Sequence, residues 1–192
     1  WVFADEGVVR TDKDGFIDVK DKETWAPDGI VGPYREKEGS FYTIKEIWSP
    51  VYIDKMDITP QFDGKLKLEN RYHFTNLSEC EFEWQLINFP KPNASETENE
   101  IHKSGIAKSP DIAPDLSGYL QLDLPENWTQ SDALYLTATD PHGRKIMTWT
   151  WPVKSPKETA EAIVSGTSET AASASEKDGV LTLSANGVEI SF

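Results

Sequence analysis

Lys65-Leu66-Lys67-Leu68-Glu69-Asn70-Arg71-Tyr72-His73-Phe74 is the stretch that decides the fold. Leu66, Leu68, Asn70, Tyr72 and Phe74 alternate with Lys65, Lys67, Glu69, Arg71 and His73. Successive side chains on a strand point to opposite faces, so a period of two marks a strand with one face buried and one in water. The period returns downstream. Phe82, Trp84 and Leu86 alternate with Glu81, Glu83 and Gln85. Leu120, Leu122 and Leu124 flank Gln121 and Asp123; Leu134, Leu136 and Ala138 flank Tyr135 and Thr137; Met147, Trp149 and Trp151 flank Thr148 and Thr150. Turn clusters separate these runs at Thr75–Ser78, Pro90–Asn93 and Asp140–Gly143. Short strands divided by turns, with no convincing helix among them, predict an all-β, immunoglobulin-like antiparallel β-sandwich over residues 50–154, of immunoglobulin or fibronectin type III kind. Trp84 is its expected core tryptophan.

Outward from this block the pattern changes. Residues 1–38 are polar and punctuated by Asp12-Lys13-Asp14-Gly15, Asp28-Gly29 and Gly32-Pro33, which reads as long loops. In residues 40–48, Phe41, Ile44 and Trp48 fall at helical spacing behind a candidate N-cap, Ser40, but the β-branched and aromatic content also allows a strand. Pro50 ends either one. Residues 155–178 are a run of Ser, Thr, Ala, Glu and Lys without an aromatic, the composition of a flexible linker. Val180–Ser184 and Val188–Phe192 then flank Asn186-Gly187, a strong hairpin signal over 179–192. A lone hairpin is marginal in water, so it is expected to belong to a further sheet or to dock on the sandwich. The chain opens at Trp1 without a basic leader and stops inside an alternation, which predicts a piece of a longer protein.

Composition narrows the function. The 192 residues carry 33 acidic and 19 basic side chains, a net charge of -14, which argues against nucleic acid and anionic membranes as partners. No apolar run approaches the roughly 20 residues that span a bilayer. Hydrophobic residues at 38% are enough for a core. The single cysteine, Cys80, leaves no intrachain disulfide and no cysteine-built zinc site.

No residue pattern assembles a catalytic centre. Asp5 and Glu6 are adjacent, and neighbours on a strand face opposite ways, so they cannot flank one glycosidic bond. His73, His102 and His142 lie on separate elements without metal spacing, and Asp12-Lys13-Asp14-Gly15 lacks the closing acid of a calcium loop. The sequons Asn76-Leu77-Ser78, Asn93-Ala94-Ser95 and Asn127-Trp128-Thr129 fall in expected loops. Trp149 and Trp151 share a strand face and read as core. Trp1 and Trp25, outside any periodic core, are the better candidates to stack on a sugar.

Three segments together carry a resemblance. They are Trp1-Val2-Phe3-Ala4-Asp5-Glu6-Gly7, Trp25-Ala26-Pro27-Asp28-Gly29-Ile30-Val31 and Gly39-Ser40-Phe41-Tyr42-Thr43-Ile44-Lys45-Glu46-Ile47-Trp48-Ser49-Pro50. In that order they resemble the end of the catalytic barrel of β-galactosidases in glycoside hydrolase family 2. Leu68–Ser78 with Phe82-Glu83-Trp84 resembles the start of the immunoglobulin-like domain that follows that barrel, and the last hairpin the start of the terminal β-sandwich. The resemblance implies a barrel tail over 1–49, a helix at 40–48, the sandwich over 50–154, a linker over 155–178 and the first hairpin of the next sandwich over 179–192. It implies a retaining parent enzyme whose two catalytic glutamates lie on earlier barrel strands, so this chain holds no catalytic residue. By the same resemblance Trp1 lines the parent's sugar pocket, and Trp25 (by its carbonyl) and Asp28 (by its side chain) contact a sodium ion. The chain departs from the family here, with Trp for Phe and Asp for Asn. The implied cofactors are none in this chain alone, and sodium and magnesium in the parent. The implied partners are the remainder of the parent enzyme and a β-galactoside or related glycan, and a periplasmic or extracellular setting suits such a parent. The rival readings are a stand-alone carbohydrate-binding module, using Trp1 or Trp128, and a cell-surface immunoglobulin-type interaction domain.

Overall fold

The computed structural model describes residues 3–7, 25–26, 29–54, 57–91, 94–95, 97–163 and 171–192. In chain order the elements are β1 (Glu6–Gly7), β2 (Trp25–Ala26), α1 (Gly39–Ile47), β3 (Val51–Ile53), β4 (Lys65–Asn70), β5 (Glu81–Asn88), β6 (Glu100–Ala107), β7 (Ser117–Gln121), β8 (Ala133–Thr139), β9 (Lys145–Pro152), α2 (Pro156–Ile163), β10 (Ser173–Lys177), β11 (Val180–Ala185) and β12 (Val188–Ser191). They fall into two units, Trp1–Pro90 with Glu96–Val153, and Lys91–Ser95 with Lys154–Phe192.

The first unit contains the all-β sandwich that the alternation predicts. One sheet has the order β3-β4-β7 and the other β6-β5-β8-β9, with every pairing antiparallel. The alternation dictates the packing. Leu66, Leu68 and Leu120 from the first sheet and Phe82, Trp84, Leu86, Leu134 and Leu136 from the second are buried in one cluster. Each fully buried leucine or phenylalanine contributes on the order of 1.5–3 kcal/mol by leaving water. Trp84, 4% exposed, is the core tryptophan that the pattern assigned.

Three features depart from the sequence expectations. The strand read over 65–74 ends at Asn70, because the buried Asn70 amide turns the chain. Its Nδ2 donates to the carbonyls of Thr75 (2.9 Å) and Ile112 (2.8 Å), and its Oδ1 accepts the Tyr72 N–H at 3.0 Å. Phe74, assigned to the inner face, is 95% exposed. Ser40 is not an N-cap: α1 begins at Gly39 behind Glu38, and the Ser40 hydroxyl donates to the Ile30 carbonyl at 2.9 Å. The helical choice for 40–48 is the one the structure takes. Third, residues 155–178 hold α2 and β10, which composition alone passed over.

In the second unit, α2 starts with a capping box. The Ser155 N–H and hydroxyl donate to Glu158 Oε2 at 2.8 and 2.6 Å, and the Glu158 N–H donates to Ser155 Oγ at 3.2 Å, with Pro156 in the first helical position. β10, β11 and β12 form a three-stranded antiparallel sheet. Asn186 and Gly187 have φ of 51° and 78°, and Asp178 and Gly179 have 54° and 79°. Both pairs supply the left-handed backbone that two-residue hairpins need, so the predicted hairpin is joined by a second one.

Candidate functional site

The segment expected to touch sugar and sodium is tied together by its backbone. The Phe3 carbonyl accepts the N–H groups of Ile30 and Val31, and the Asp5 N–H donates to the Val31 carbonyl at 2.8 Å. Asp5 is 8% exposed and its Oδ1 accepts the Gly29 N–H at 2.7 Å. A Cβ on Gly29 would fall 2.3 Å from the Asp5 nitrogen, so this approach requires glycine. Val31, buried, also bridges to Lys37. The segment 3–7 and residues 29–31 are thus joined to each other, and Ile30 to the start of α1 through Ser40.

Of the residues expected to act here, Trp1 and Asp28 lie outside the described residues. Trp25 is described in its backbone alone, paired with Gly7 across β1 and β2. The contacts described above are made by their chain neighbours: Phe3 follows Trp1 by two positions, and Gly29 follows Asp28 directly. By sequence the Asp5 carboxylate reads only as half of an acid pair. Its role is to hold Gly29, a local signal that no spacing rule exposes.

Elsewhere in the sandwich, side chains that could carry chemistry are occupied with structure or lie apart. His73, His102 and His142 are exposed on separate elements, and among the described residues no three His, Cys, Asp or Glu side chains gather where they could hold a metal. Asp140 organises the turn before β9. It accepts the N–H groups of His142 (2.9 Å) and Arg144 (2.8 Å) and the Arg144 Nε at 2.7 Å. The Arg144 N–H, more than the guanidinium, holds its carboxyl below the usual carboxylate range. Asn76, a sequon asparagine, caps the short 3-10 turn Leu77–Glu79 and donates to Asp111 at 2.8 Å. The sequon at Asn93 lies outside the described residues.

The aromatic residues sort differently from the sugar-stacking expectation. Trp128 is 8% exposed and meets Phe62 edge to face at 6.1 Å, so it is a core residue and offers no stacking surface. Trp151 is likewise buried, and Trp149 is half-buried against the core. The exposed apolar groups lie elsewhere. On α1 and its end they are Tyr42, Ile47 and Trp48, the last 73% exposed. On the β10-β11-β12 sheet they include Val180, Leu181, Val188 and Ile190, with Phe192 just after β12.

The fold and the contacts describe an antiparallel β-sandwich preceded by one helix, with no cluster of metal-ligating side chains among the described residues. Residues 66–186 match the family model described as "Beta-galactosidase, domain 4". The match runs from β4 through α2 and β10 to the turn after β11, well over half the chain, and the chain belongs to this β-galactosidase domain family. A comparison with curated proteins finds no match.

Proposed function

We propose that the chain is a non-catalytic part of a glycoside hydrolase family 2 enzyme of β-galactosidase type. In this reading residues 1–49 close the catalytic barrel, 50–154 form the immunoglobulin-like domain, 155–178 link it onward with β10 already joining the next sheet, and 179–192 supply the first hairpin of the next sandwich. The sandwich is a scaffold: it spaces the barrel from the terminal domain and buries apolar surface of both. The parent cleaves terminal β-galactosides with retention, through two glutamates carried on the earlier part of the barrel. Trp1 would line the sugar pocket, and Trp25 and Asp28 would contact sodium beside it.

The observation that carries the reading is the domain 4 match over residues 66–186, together with large apolar groups exposed at the end of α1 in the first unit and on β12 in the second. Exposed groups of this size ask for a partner surface. The experiment has two arms. The isolated chain is assayed with a nitrophenyl β-galactoside, and no turnover above buffer is expected. The parent is then tested with Trp48→Glu, which should lower the yield of folded enzyme and leave kcat per folded molecule unchanged. Turnover by the isolated chain would remove the non-catalytic reading. A parent that folds normally with Trp48→Glu would remove the scaffold role.

A further inference from the structure

The four-stranded sheet has two edges, and they are built differently. At one edge, β6 carries the devices that block strand addition. Its pairing with β5 shifts between Leu86 and Ile87, which leaves His102 without a partner residue. Lys103 stands opposite the core residue Leu86, so a charge sits on the inner side of the strand. A bulge and an inward charge are the ordinary guards of an exposed edge.

The β9 edge has neither guard along Met147–Trp151, and Pro152, which has no N–H, ends the open run. Its one register shift lies earlier, at Ala138/Thr139 opposite the start of β9. β9 ends the order β6-β5-β8-β9, and β3 ends the other sheet, so among the described residues both present an unpaired backbone edge. Between them runs a groove of about 570 Å³, lined by the unbroken run Met147–Pro152 and by Val51–Asp54. Its apolar surface includes Ile53, Met147 and Trp149. Its rim carries Glu46, Asp54 and Asp57, and no Lys or Arg lines it among the described residues. Lys67 reaches Asp54 at 3.7 Å with both side chains more than half exposed, a weak neutralisation in water.

We propose that this groove is a docking site for an extended, basic polypeptide segment that adds as a strand to the outer edge of β9. Its apolar side chains cover Met147 and Trp149, and its Lys or Arg side chains face Glu46, Asp54 and Asp57. Strand addition takes affinity from main-chain hydrogen bonds and specificity from alternate side chains, and the rim sets the sign of the charge it accepts. A second copy of this chain fits poorly, because a net charge of -14 on each copy opposes close approach.

The test uses the whole chain and two short synthetic peptides, one alternating valine with lysine and one alternating valine with glutamate. Amide hydrogen exchange and tryptophan fluorescence are followed at low and at physiological salt. The lysine peptide should slow exchange of amides within 147–151 and bind more weakly as salt rises, and the glutamate peptide should do neither. Reversing the exposed rim with Asp54→Lys and Asp57→Lys should cost about tenfold or more in affinity for the lysine peptide. Equal binding of both peptides, protection at β6 in place of β9, or no protection at millimolar peptide would overturn the proposal. Self-association of the free chain through 147–152 would replace it with an interface between copies. If the double variant loses its sheet signal in circular dichroism, the site and salt dependence of protection in the unaltered chain still decide.

Discussion

Gly105 on β6 lies under the indole of Trp84 on β5: a Cβ on Gly105 would come within 2.6 Å of Trp84 Cζ2 and 2.8 Å of Cε2. The edge strand closes over the core tryptophan only because this position has no side chain. Gly105→Ala is therefore an overpacking change, expected to cost about 1–3 kcal/mol. Trp84→Ala opens a cavity in the same place and should cost about 3–5 kcal/mol. Urea unfolding of both variants checks this. If the double variant is no worse than Trp84→Ala alone, the contact is the cause; full additivity would separate the two positions.

Asn70 ends β4 by giving its amide hydrogens to two carbonyls and its oxygen to one N–H. Asn70→Asp keeps the shape but sets a carboxylate against the carbonyls of Thr75 and Ile112. At neutral pH the loss should be at least about 2 kcal/mol. The variant's carboxyl must have a folded pKa above its unfolded one, so its penalty is small below the unfolded pKa and grows as pH rises through the folded one. The gap in urea midpoint between variant and unaltered chain should narrow from pH 7 to pH 4. A constant gap would mean that the carbonyls do not sense the charge.

How far the sequence reached follows from what each residue faces. Strands with one wet and one dry face were legible, which is why Phe82, Trp84, Leu86, Leu134 and Leu136 were placed in the core by spacing alone. β6 was not, because seven of its eight residues are exposed or half-exposed and the period of two disappears. The break at Asn70 was hidden for the opposite reason: a buried amide satisfied by backbone looks, in the sequence, like one more member of the alternation. α2 and β10 carried local signals, Ser155-Pro156-Lys157-Glu158 and Asp178-Gly179, which a reading by composition averaged away. At the candidate site, the hold of the Asp5 carboxylate on the Gly29 N–H depends on a close backbone approach that no spacing encodes.

Those overlooked signals make α2 testable. The Ser155 hydroxyl, and then its N–H, hold the Glu158 carboxyl below its ordinary value of 4.5. A carboxyl with a depressed folded pKa adds stability above its unfolded pKa and loses it as pH falls through the folded one. Protection factors of amides 159–163 should thus fall in acid, below pH 4.5. Ser155→Ala should produce the same fraying at pH 7, while protection of β5 and β8 stays unchanged. Normal protection of α2 in Ser155→Ala would show that the helix does not depend on its cap.

Cys80 closes the 3-10 turn Leu77–Glu79 and is 4% exposed, with its carbonyl taking the Ser109 hydroxyl at 2.6 Å. Burial, with a smaller push from the Asp140 charge, raises its thiol from 9.0 to about 11. Nearby, burial also raises the Tyr72 phenol to about 12. The thiolate is the nucleophile, so a rise of this size lowers its population about a hundredfold at pH 8, and access lowers the rate further. Iodoacetamide should leave Cys80 unmodified in the folded chain at pH 8 and alkylate it fully in urea. The sign for stability follows from the raised value: the folded chain holds the proton more tightly, so its advantage is complete below pH 9 and declines as pH rises from 9 toward 11. Cys80→Ala should lose that alkaline decline from Cys80, leaving the one at higher pH from Tyr72. Fast alkylation of the folded chain at pH 8 would mean that the turn at Leu77–Glu79 opens readily, and the buried environment would no longer account for the thiol.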